Sequence, residues 1–116
     1  MVEMSREEFE EAVRDGLDMI PDDLTALIDD VVILVEDNPP AGRPNLLGLY
    51  HGVARTRRGN DWGLGQMPDR ITIYRNSILR ICRTEDQVRG RVAKTVVHEV
   101  GHHFGINDAR LRELGY

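Results

Sequence analysis

Two histidines four residues apart, with a glutamate directly after the first, constrain this chain more than any other feature. Residues 98–102 read His98-Glu99-Val100-Gly101-His102, and Asp108 follows six residues later. On a helix, positions four apart stand one above the other, so both imidazoles can grip one metal ion. Glu99 lies one step round the helix, within reach of a water in an open coordination position. Gly105 lets the helix end and the chain turn back, and Asp108 is placed to be a third ligand. The fold must therefore carry a helix through 98–102 with its ligand face open and a turn behind it. Two histidines on a solvated helix face without metal are the plain alternative. The adjoining glutamate, glycine and aspartate favour the metal.

The flanking sequence extends that helix. Thr84-Glu85-Asp86-Gln87 is a capping box, and it predicts a principal helix running to about Phe104. Val88, Val92, Ala93, Val96, Val97, Val100 and Phe104 cover one broad arc, which predicts core. His98 and His102 point the other way, on the side of Arg91 and Thr95. His103 falls within the apolar arc and reads as a satisfied core histidine rather than a ligand.

Upstream, Ser5-Arg6-Glu7-Glu8 is another capping box, followed by Phe9, Ala12, Val13 and Leu17 at helical spacing. This predicts a first helix over 5–17. Pro21-Asp22-Asp23 opens a short second helix with Leu24, Leu27 and Ile28 inward. Val31 to Val35 is continuous and β-branched, a strand that Asn38-Pro39-Pro40 ends. Leu47 to Val53 is a short strand or the start of a loop. Residues 54–69, with Arg55, Arg57, Arg58 and Trp62, read as a long loop. Arg70 to Arg75 alternates, with Ile71 and Ile73 on one face and Thr72 and Tyr74 on the other, the pattern of a half-buried strand. Short helices are expected over 76–82 and 108–116, the latter with Leu111 and Leu114 inward.

A chain of 116 residues suits one compact domain, residues 1–116, without disulfide staples. Cys82 is the sole cysteine and reads as an inert buried thiol, which fits a reducing compartment. No apolar run approaches a membrane span, the N-terminus is acidic where a secretory signal would be basic, and lipidation signals are absent. The expectation is a soluble cytoplasmic protein. Residues 1–40 hold thirteen acids and two bases (−11), and residues 41–116 hold seven acids and thirteen bases (+6). Two oppositely charged surfaces of one domain are expected, although a positive surface could also select acidic substrates or phosphate backbones.

Two neutral imidazoles and one carboxylate suit a single zinc ion, with a fourth position left for water. Copper or nickel would bind such ligands tightly too, so zinc rests on availability as well as affinity. An aspartate ligand makes the metal a weaker acid than a third histidine would, which throws more of the work onto Glu99 as general base. His51, beside Tyr50, is a candidate for stabilising an oxyanion. Tyr74, Trp62 and Tyr116 are possible cleft residues.

The stretch from His98 to Asp108 resembles the zincin metallopeptidases in the variant whose third ligand is aspartate, as in snapalysin. Gly48-Leu-Tyr-His-Gly52, Pro68 to Arg75 and the 98–116 tail resemble the small bacterial zincin-like metallopeptidases more closely still. That resemblance implies an α+β fold, with a small mixed sheet beside an active-site helix bearing His98, Glu99 and His102 and with additional N-terminal helices. It also implies an edge strand lining a substrate cleft, for which residues 70–75 are the candidate, binding a peptide by backbone pairing. The methionine turn of the metzincins is missing after Asp108.

Three functions compete. The first is a zinc metallopeptidase that hydrolyses a peptide or flexible protein segment by metal-bound water, with Glu99 as general base. The second is a non-catalytic, metal-stabilised binding or adaptor protein, in which a fourth protein ligand, His51 or His103, would close the site. The third is a metal-dependent endoribonuclease using the arginine-rich loop. Glu99 and the acidic overall charge count against nucleic acid as a partner.

Overall fold

The computed structural model describes residues 1–52 and 69–116. The long-loop reading of 54–69, with its arginines and Trp62, thus lies outside the described residues, Asp69 excepted. The described chain runs α1 (Arg6–Asp18), α2 (Asp22–Thr25), β1 (Val32–Glu36), β2 (Gly48–His51), β3 (Arg70–Tyr74), α3 (Arg75–Ile81), α4 (Glu85–His103) and α5 (Asp108–Glu113). This is an α+β fold with a small mixed sheet.

Local chemistry starts the two long helices where the sequence places them. Ser5 accepts from the Glu8 amide at 3.1 Å while Glu8 accepts from the Ser5 amide at 2.9 Å, closing the capping box of α1. At α4 the Thr84 hydroxyl accepts from the Gln87 amide, but the Gln87 side chain reaches one residue further back, to the Arg83 amide at 2.7 Å. The two helices then pack across the core, Phe9, Ala12 and Val13 of α1 being buried in one cluster with Val88, Val92 and Val96 of α4. Gly16 permits the close crossing, because a Cβ there would lie 2.6 Å from the Arg89 carbonyl oxygen of α4.

The sheet order is β1-β3-β2, with β1 parallel and β2 antiparallel to β3. The strand expected at a sheet edge, residues 70–75, is instead central. Both its sides are taken by ladder hydrogen bonds, so it has no free backbone to offer a peptide. Gly48–His51 is a strand, not a loop, and it lies beside α4 on the outer side of β3. β3 is also buried on both faces rather than one, Thr72 and Tyr74 as well as Ile71 and Ile73. β1, on the other side of β3, leaves Val32 and Leu34 about 40% exposed.

A hub of charge ties the N-terminal half to the sheet. Arg75 donates to Asp37 Oδ1 at 2.9 Å and to the Met4 carbonyl, and Arg6 approaches the same Asp37 oxygen at 3.4 Å. The guanidinium of Arg75 holds the Asp37 carboxyl below its ordinary range. Cys82 is buried beneath α4, and desolvation pushes its thiol pKa up, partly offset by the charge of Arg91. Among the described residues no helix is long and apolar enough to cross a membrane.

Candidate metal centre

The C-terminal turns of α4 lie beside β2 and carry His98, Glu99 and His102. The helix stops at a glycine turn. The Ile106 amide donates to the Gly101 carbonyl at 2.7 Å and the Gly105 amide to the His102 carbonyl at 3.2 Å, with Gly105 at φ +80°. This paired closure needs a left-handed residue, which glycine supplies without strain. Asn107 then caps α5, accepting from the Arg110 amide at 2.9 Å, and Asp108 is the first residue of that helix. Leu111 locks α5 down. It is fully buried against Gly101, where a Cβ would stand 3.0 Å from its Cδ2.

The result is a cluster. Ligand atoms of His98, His102 and Asp108 lie within 4.8 Å of one another. His102 Nε2 donates to Asp108 Oδ1 at 2.9 Å, and His98 Nδ1 stands 3.8 Å from the same oxygen. Ligand bonds of about 2.0–2.2 Å in a tetrahedron put donor atoms roughly 3.3–3.6 Å apart. The two observed separations straddle that edge length, so small side-chain rotations bring the donors onto one ion. The donor set therefore fits zinc. His98 is also prepared for the role: its Nε2 lies 2.8 Å from the Tyr116 carbonyl, which can only accept. Nε2 of the neutral ring carries the proton, and the Nδ1 lone pair faces Asp108. The His102 hydrogen bond is the main cause that lowers the Asp108 pKa.

Glu99 is held from the sheet. The Tyr50 amide donates to its Oε1 at 3.0 Å. β2 comes this close because Gly48 has no side chain, a Cβ there meeting Thr95 Cγ2 at 2.8 Å. Tyr50 is itself fixed. Its hydroxyl donates to Asp69 Oδ2 at 2.6 Å, and its ring stacks on His103 at a centroid distance of 4.0 Å.

Several expected placements change. His103 is not a core residue: it stacks on Tyr50 with Nε2 4.0 Å from Asp69 Oδ2, and Phe104 beside it is 36% exposed. Thr95 does share the side of Arg91 and His98, but Gly48 of β2 covers it there and it is buried. His51 follows Tyr50 in β2, so its side chain leaves the opposite face of the sheet and does not join the cluster. Tyr74 is buried in β3, where desolvation first, and then the charges of Glu36 and Glu99, push its hydroxyl pKa up. Tyr116 does come to the site, through its main-chain oxygen. Among the described residues no fourth His, Cys, Asp or Glu completes the cluster. Sequence reasoning does not reach Asp69 or the Tyr50 amide, and a main-chain donor has no sequence signal to find.

An α+β scaffold that sets a short strand against a helix bearing His-Glu-x-x-His, with an acid returned by a turn, defines the zincin class. The family model for zincin-like metallopeptidases matches residues 28–116. The chain belongs to that family. The fold is also similar to that of a conserved hypothetical protein from Thermus thermophilus, at 24% identity and a TM-score of 0.57, over 87% of this chain and 94% of the other. No protein of curated function matches the chain.

Proposed function

We propose that the protein is a zinc-dependent metallopeptidase in which His98, His102 and Asp108 hold the ion and Glu99 is the general base. The observation that carries this reading is the convergence of three donor atoms within 4.8 Å, with Glu99 anchored beside them by Tyr50. Zinc supplies Lewis acidity at an open coordination position. With Oε1 of Glu99 occupied by the Tyr50 amide, Oε2 is the oxygen that takes a proton from the attacking water and returns it to the departing amine. The amide of Tyr50 points away from β3, so by the alternation of an antiparallel ladder the amide and carbonyl of Gly48 face the same way. They offer an extended peptide backbone partners along the outer side of β2, next to Glu99. A structural-zinc adaptor would need a fourth protein ligand, and the described residues bring none.

The test is hydrolysis of a peptide library by the zinc-loaded protein, read by mass spectrometry. Glu99→Gln should keep the zinc and lower kcat/KM by about 10²–10⁴-fold, the usual worth of a positioned base. Cleavage that survives Glu99→Gln undiminished refutes the assignment.

A further inference from the structure

Along α4, upstream of His98, the same outward face carries Lys94 and Arg91, one and two turns away. They line a groove of about 300 Å³ whose other wall is Leu47 and Gly48, and whose far end is His98 and Glu99. Among the described residues neither cation has a carboxylate within 4.0 Å, although the chain carries twenty acids and pairs Arg6, Arg75, Arg89 and Arg110. Among the described residues Glu99 is the one acid lining the groove, and the Tyr50 amide already engages it. Two cations without a described carboxylate partner thus stand between this cleft, which opens onto the candidate base and the outer side of β2, and a second groove beside Cys82.

We propose that this groove is a specificity subsite for a carboxylate carried by the bound peptide. The inference rests on the peptidase reading above and adds a substrate class to it. At 1.5 Å rise per residue, Lys94 lies about 6 Å and Arg91 about 10 Å along the helix axis from His98. An extended peptide advances about 3.3 Å per residue. The carboxylate therefore belongs two or three residues from the bond held at Glu99, as an acidic side chain or a free C-terminus. Leu46 and Leu47 supply an apolar wall for the stem of such a residue. Charge-assisted hydrogen bonds to the guanidinium and ammonium supply the selection.

The experiment uses labelled peptides that differ only in Glu against Gln, each with a free or an amidated C-terminus. Binding is read by fluorescence anisotropy on the metal-free protein, and cleavage by mass spectrometry on the zinc-loaded protein. A carboxylate-bearing peptide should bind about tenfold tighter than its neutral twin, and added salt should shrink the gap. The terminal-amide arm assigns the carboxylate to side chain or C-terminus. R91Q/K94Q should abolish the gap. Should that double variant unfold, K94E alone, at an exposed position, should reverse the preference towards a Lys-containing peptide. Equal binding of Glu and Gln peptides overturns the proposal, as does an RNA oligonucleotide that displaces every peptide from the groove. Cleavage without any acidic preference overturns it and leaves the peptidase intact. Acid-dependent binding without cleavage supports the subsite and removes the peptidase.

Discussion

Replacing either of two helical glycines by alanine should change stability in opposite directions, and the contacts set the sizes. In α4, a Cβ at Gly90 meets nothing within 4 Å. Gly90→Ala should therefore gain the helix-propensity difference, about 0.8–1 kcal/mol. At Gly16 the same methyl would stand 2.6 Å from the Arg89 carbonyl oxygen and 3.2 Å from Val92 Cβ. The first of these is a backbone atom of a packed helix, so no rotamer relieves the clash. α1 and α4 must separate by roughly 0.8 Å to restore ordinary contact, and overpacking of this kind costs about 1–3 kcal/mol. Set against the propensity gain this gives a net loss of about 0–2 kcal/mol and, the gain being common to both variants, a gap between them of about 1–3 kcal/mol. Urea unfolding followed by circular dichroism reads both, with the m-value unchanged. At roughly 4 °C per kcal/mol the melting temperatures should differ by about 4–12 °C. A Gly16→Ala protein as stable as Gly90→Ala would refute the close crossing of α1 on α4.

Two further outcomes follow from buried and paired groups. Cys82 should resist a thiol reagent at about pH 8 in the folded protein and react fully in about 8 M urea, because burial both hides the thiol and raises its pKa; rapid labelling of the native chain would contradict its placement. Asp37, whose carboxyl Arg75 holds below the ordinary value, stabilises the fold above the ordinary carboxylate range, and that contribution is lost as pH falls through the lowered value. Asp37→Asn should thus be less stable than wild type near pH 7 and indistinguishable from it at about pH 2. A gap that stays constant with pH would show that the Arg75 pair is not its source.

Much of what positions the site is legible in the residues themselves. Thr84 and Ser5 mark helix starts because capping is chemistry local to four residues. Gly105 marks the end of α4 because a left-handed residue is needed there. Spacing alone then places Asp108 near His102. What sequence hides is order in space. The alternation in Arg70–Tyr74 reports a pleated strand and says nothing of how many neighbours it has, so it suits an edge as well as the centre it occupies. A helical wheel treats every turn as equally covered, yet at the end of α4 His103 leaves the core to stack on Tyr50, and Phe104 is 36% exposed. The grip of Tyr50 on Glu99 joins positions 49 residues apart through a main-chain amide, and Tyr116 reaches His98 through a carbonyl. Neither contact leaves a mark in residue identity.

On the peptidase reading His98, His102 and Asp108 hold one ion together. Zinc per chain, measured by mass spectrometry on protein purified without chelator, tests it most directly, in wild type and in Asp108→Ala. The expected result is about one zinc per wild-type chain and clearly less in the variant, with the helical circular dichroism of both the same. Wild-type protein that takes up no zinc on titration at neutral pH would contradict the account, and so would an Asp108→Ala protein that binds it just as tightly.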